Sequence, residues 1–120
     1  MEKIHEFLIP IRTISEANTS EHWSKKSARK KKQAFWVRMF MKGSSVKPPC
    51  HIKLARIAPR RLDDDNNTMA LKYVRDAIAD QINPGLAPGR ADDACYGITW
   101  EYDQEKGIPK SYGVKIEIFK

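Results

Sequence analysis

Apolar residues alternate with polar ones along some stretches of this chain and recur at helical spacing along others. Ile4, Phe7, Leu8 and Ile9 predict a short strand over residues 4–9, ended by Pro10. After the polar run Ser15-Glu16-Ala17-Asn18-Thr19-Ser20, Ser20 is placed to cap a helix that passes Trp23 and reaches about Met41. Its apolar positions, Ala28, Phe35, Trp36, Met39 and Phe40, keep helical spacing only in the second half. Gly43-Ser44-Ser45 and Pro48-Pro49 end it. Residues 50–58 predict a strand containing Ile52, Leu54 and Ile57, with Ile57 on the face opposite the other two. An amphipathic helix follows from about Asn66 to Gln81, its stripe formed by Met69, Ala70, Tyr73, Val74, Ala77 and Ile78. Asn83-Pro84-Gly85 and Pro88-Gly89 mark a long loop.

The chain closes on two cleanly alternating stretches. Ile98, Trp100 and Tyr102 alternate with Thr99, Glu101 and Asp103; Tyr112, Val114, Ile116 and Ile118 alternate with polar neighbours that include Lys115 and Glu117. Gly107-Ile108-Pro109 lies between them, which predicts a hairpin. The order is β-α-β-α-β-β, an α+β fold in a single domain with a small mixed or antiparallel sheet flanked by two helices.

At 120 residues, 41% hydrophobic and 31% charged, the chain has the makeup of one globular domain and can form a core without disulfides or metal. No apolar run has the length of a membrane span, and the amino-terminal run from Phe7 to Ile11 is too short for a signal peptide. Cys50 and Cys95 are too few for a disulfide framework, so the expected compartment is reducing and cytoplasmic.

Charge divides the chain. Residues 1–61 hold 15 Lys and Arg against 4 Asp and Glu, and residues 62–120 hold 7 against 11. From His22 to Leu62 there are 13 basic residues and no acidic one. A surface of that sign suits a polyanion such as nucleic acid, although it also serves solubility. The acidic half is clustered, as Asp63-Asp64-Asp65 and as Asp92-Asp93. Aspartate before a helix is a favoured cap and complements the helix dipole. One cap needs one aspartate, however, and three in a row repel. In an extended segment Asp63 and Asp65 would share a face, and with a third ligand from Asp92-Asp93 they could hold Mg²⁺ or Mn²⁺.

The run Arg60-Arg61-Leu62-Asp63-Asp64-Asp65-Asn66, followed by Lys72, Asp76-Ala77-Ile78 and Asp92-Asp93 before the closing strands, resembles the RusA family. These are small phage- and prophage-associated endodeoxyribonucleases that resolve Holliday junctions. The resemblance runs in order from about Ile52 to Ile118; in residues 1–50 it is carried by Asn18 and His22, which are similar to an early Asn-rich polar loop. It implies a homodimer that cuts four-way DNA junctions with Mg²⁺, or Mn²⁺ in its place, leaving 5′-phosphate ends in a bacterial or phage-infected cell. By the same match Asp63, Asp65 and Asp93 take the metal-binding positions and Lys72 that of the catalytic lysine. Arg60, Arg61, Lys30, Lys31, Lys32 and Asn18 fall to DNA binding. The sequence departs from the pattern in two places. Lys72 comes seven residues after Asp65, about one helical turn later than usual, and the loop over residues 83–90 is longer, which leaves Asp92 as a substitute for Asp93.

Two other readings compete with this one. A protein of the same fold without activity would bind nucleic acid and not cut it. A structural or interaction protein would use the aspartates as a cap and the lysines as solvent-facing charge. His5, His22 and His51 have no zinc spacing with the cysteines, and no Gly-rich phosphate loop is present. Trp36 and Trp100 read as core, whereas Trp23, beside His22 and near the lysines, is the aromatic placed for a DNA contact.

Overall fold

The computed structural model describes residues 1–16, 22–85 and 96–120. Seven elements follow in order: β1 (Lys3–Ile9), α1 (Trp23–Met41), β2 (Cys50–Ala58), α2 (Asp64–Ala70), α3 (Lys72–Ile82), β3 (Ile98–Lys106) and β4 (Gly113–Phe119). The strands form one mixed sheet in the order β1-β4-β2-β3, an α+β arrangement. β4 runs antiparallel to both β1 and β2, and β2 runs parallel to β3.

The expected hairpin is therefore not formed. β2 lies between the last two strands, and Ile52 pairs with Trp100 on one side and Ile118 on the other. Alternation shows which residues face the core and says nothing of which strand lies alongside. β2 is the strand with most to gain from two neighbours, because Ile52, Leu54 and Ala55 are all buried. The edge position falls instead to β3, where exposed Thr99, Glu101, Asp103 and Glu105 discourage further pairing.

One face of the sheet carries the core. Ile9, Ile52, Leu54, Ile98, Val114, Ile116 and Ile118 are buried there with Val37 and Met41 of α1 and Val74, Ile78 and Ile82 of α3. Each of the large side chains contributes about 1.5–3 kcal/mol by leaving water. The other face is covered by ion pairs, including Lys53–Asp103 at 3.6 Å, Lys115–Glu105 at 2.9 Å and Lys3–Glu117 at 3.1 Å.

The helices depart from expectation in three details. The cap of α1 is His22, whose Nδ1 accepts from the Ser24 N–H at 3.2 Å; Ser20 lies outside the described residues. The buried stripe of α1 is Gln33, Val37 and Met41, flanked by Trp36 and Phe40, while Phe35 and Met39 face solvent. The second predicted helix begins earlier and is interrupted at Leu71 (φ −92°, ψ 0°), so that three helices and not two accompany the sheet among the described residues. Leu71 is fully buried and its amide still bonds back to Asn67 and Thr68, so the chain continues in nearly helical form across the break. No helix among the described residues is long and apolar enough to cross a membrane.

Candidate active site

The sheet register brings several chain segments out at one end of the strands. Ile9 is paired with Val114, Ile57 with both Gly113 and Glu105, and Ala58 with Lys106. Residues 10–16 and 59–63 therefore leave the same end of the sheet, on either side of β4, next to the turns at Gly107 and Tyr112. Crevices outside the carboxyl ends of parallel strands are common ligand sites, and here β2 and β3 supply such an end.

The turn after β2 is held firmly. Gln104 donates to the Leu62 carbonyl at 2.7 Å and accepts from the Leu62 N–H at 2.8 Å. One residue back on β3, the Asp103 carbonyl accepts from Asn67 Nδ2 at 3.1 Å. Between these anchors Asp63 takes the cap position of α2. Its Oδ1 accepts from the Asn66 N–H at 2.8 Å and its Oδ2 from Asn66 Nδ2 at 3.0 Å. Ser15 ties the same asparagine to the segment after β1, donating to Asn66 Oδ1 at 2.5 Å.

Asp63 and Asp65 do not share an extended face. Asp64 and Asp65 already belong to the first turn of α2, where two positions correspond to about 200° of rotation. All three carboxylates are exposed, close to the positive end of the short helix. The capping bonds use two of the roughly four acceptor positions on the Asp63 carboxylate, which leaves room for a cation, and a set of carboxylate oxygens suits Mg²⁺. Among the described residues no three His, Cys, Asp or Glu side chains converge as a metal site. Asp92 and Asp93 lie outside the described residues, as does Asn18. Lys72 stands exposed at the first position of α3, with no ion pair to Asp63 or Asp65. Asp76 is 3.9 Å from Arg75 Nε.

Basic groups line the cavities beside this turn. A cavity of about 340 Å³ is lined by Arg56, Arg60, Arg61, Gln104 and Lys106, among others. A second, of about 380 Å³, is lined by Arg12, Ser15, Arg56, Arg60 and Tyr112, and shares Arg56, Ala58, Pro59 and Arg60 with the first. Arg12 sits over the Tyr112 ring, 4.7 Å from its centroid. On α1, Lys30, Lys31 and Lys32 are exposed, with Lys30 5.9 Å from the Tyr73 ring centroid. Arg29 from the same basic run is used internally: its Nε and Nη2 each donate to Glu16 at 2.7 Å. Trp23 is 73% exposed, its ring against that of His22.

Sequence reasoning passed over Arg56. The signal was present, because Arg56 is in period-2 register with Ile52 and Leu54 and so faces the core. Burial and the nearby Arg12 charge both push its guanidinium below the ordinary arginine range. Comparison with family models and with curated proteins returned no match to this chain.

Proposed function

We propose that this protein is a metal-dependent endodeoxyribonuclease that cuts four-way DNA junctions, as the resemblance of residues 52–118 to the RusA family implies. The observation that carries the proposal is adjacency: the capped turn bearing Asp63 and Asp65 continues directly from the arginines that wall the cleft, Arg60 and Arg61. Carboxylates alone repel a phosphate, and arginines alone bind it without cutting. Asp63, Asp65 and either Asp93 or Asp92 would hold Mg²⁺ or Mn²⁺, which when bound polarises the scissile phosphate and activates water. Arg60, Arg61, Lys30, Lys31, Lys32 and Asn18 grip the DNA backbone and make its affinity salt-dependent. Lys72 supplies positive charge to the phosphoryl oxygens. A symmetric homodimer, in a bacterial or phage-infected cytoplasm, matches the two-fold character of a junction.

A second reading, binding without turnover, is favoured by one observation: Lys72 follows the break at Leu71 and pairs with neither Asp63 nor Asp65. Asp63→Asn tests the proposal. The asparagine keeps an acceptor for the cap, so the variant folds, and it is expected to bind the junction in EDTA at least as tightly as the parent while losing cleavage. Cleavage at the parental rate by folded Asp63→Asn protein would refute the assignment.

A further inference from the structure

Arg56 brings a positive charge into the fold with no carboxylate to meet it among the described residues. It is 7% exposed, on the core-facing side of β2. A guanidinium offers five N–H groups. Here Nη1 donates to the Arg60 carbonyl at 3.0 Å, Nη2 reaches the Thr13 carbonyl at 3.4 Å, and the buried Nε has no partner. Two neutral carbonyls leave donors unused and the charge uncompensated. Arg29, also largely enclosed, is treated differently: it is met by both oxygens of Glu16. The carboxylate that lines the cleft beside Arg56 is Glu105, and it is engaged by Lys115 at 2.9 Å. Among the described residues, the charged groups that share the cavities with Arg56 are otherwise Arg12, Arg60, Arg61 and Lys106.

A buried charge without a partner is costly, and a bound anion would supply the missing counter-charge. Arg56 lines both cavities, so each of them gives an approach to it. An arginine reached from two neighbouring cavities suits a phosphate whose chain continues on both sides of it. Arginine also matches the geometry of phosphate oxygens, which it can bind through two parallel N–H bonds.

We propose that Arg56 and Arg12 form a phosphate socket that holds a backbone phosphodiester of a DNA strand next to the Asp63 turn. Its identity as DNA rests on the function proposed above; the socket itself does not depend on cleavage. The strand enters beside Tyr112 and leaves past Lys106, and the socket fixes its register relative to the aspartates.

The test is made in EDTA, so that catalysis plays no part. Thermal unfolding of the whole protein is followed in inorganic phosphate and in chloride at equal ionic strength, and affinity is measured for a labelled single-stranded oligothymidylate. The parent protein is expected to be stabilised by phosphate beyond the chloride control. Arg56→Met keeps the length of the side chain and removes the charge. It is expected to be at least as stable as the parent without phosphate, to lose the phosphate-dependent shift, and to bind the oligonucleotide about tenfold more weakly or worse, the factor equivalent to one charge-assisted hydrogen bond. Arg12→Gln, on the exposed side of the socket, is expected to reduce both responses and decides the matter if Arg56→Met does not fold. A full phosphate shift in the substituted protein, or none beyond chloride in the parent, would overturn the proposal. A phosphate response that depends on Arg56, in a protein that cuts no junction with Mg²⁺, keeps the socket and discards the nuclease; cleavage with no such response does the reverse.

Discussion

Gln104 and Leu62 are joined by two hydrogen bonds, with the side-chain amide of one paired to the main chain of the other at 2.7 and 2.8 Å. The pairing works like one more rung of a sheet, made by a side chain beyond the point where β2 stops. It sets the path of the Arg60-Arg61-Leu62 turn and hence the start of α2 at Asp63.

Gln104→Leu keeps much of the volume and removes both bonds. It leaves a half-buried N–H and carbonyl without partners, for an expected loss of about 1–3 kcal/mol. Urea unfolding measures that loss. Junction cleavage under conditions where the variant is folded is expected to fall further than the fraction folded, because the aspartates lose their anchor.

The Glu16–Arg29 pair is a two-pronged ionic contact that ties the segment after β1 to α1. Both guanidinium–carboxylate distances are 2.7 Å, and the Glu16 side chain is 4% exposed. Breaking a largely buried pair is costly, so Glu16→Ala is expected to destabilise the fold by about 3 kcal/mol. The double variant with Arg29→Ala is expected to lose less than the sum of the single ones, a coupling that a double-mutant cycle reads directly.

Cys50 gives the fold an alkaline weakness. Burial pushes its thiol above the ordinary range, an effect that the Lys120 charge only partly offsets. The folded protein therefore holds this proton more tightly than the unfolded chain does. The unfolded thiol ionises first, so the stability present below the ordinary thiol pKa declines as pH rises through and beyond about 8.5. Cys50→Val is expected to flatten that part of the stability profile, measured by urea unfolding across alkaline pH.

Much of this architecture is legible in local pattern. The range of β2 follows from Pro48-Pro49 before it and Pro59 after it, and the alternation in β3 and β4 identifies their buried residues. Strand neighbours are not encoded locally, which is why two alternating stretches around Gly107 and Pro109 suggest a hairpin while β2 lies between them. In α1 tertiary packing overrides composition: Gln33 is buried and Phe35 is exposed because only one stripe of the helix can face β1 and α3. The acidic turn was visible as chemistry but not as geometry. Its first aspartate forms the cap, and helical rotation then separates it from Asp65. Arg56 was hidden in another way, because a basic residue among basic residues attracts notice only once its strand face is known.

The function proposed here is most directly tested by incubating the protein with a labelled four-way junction and a linear duplex of matched sequence, with Mg²⁺ and with EDTA. The expected result is paired nicks at the junction, 5′-phosphorylated, dependent on the metal and absent from the duplex. An intact junction bound tightly with Mg²⁺ present would contradict it and leave a DNA-binding protein without turnover.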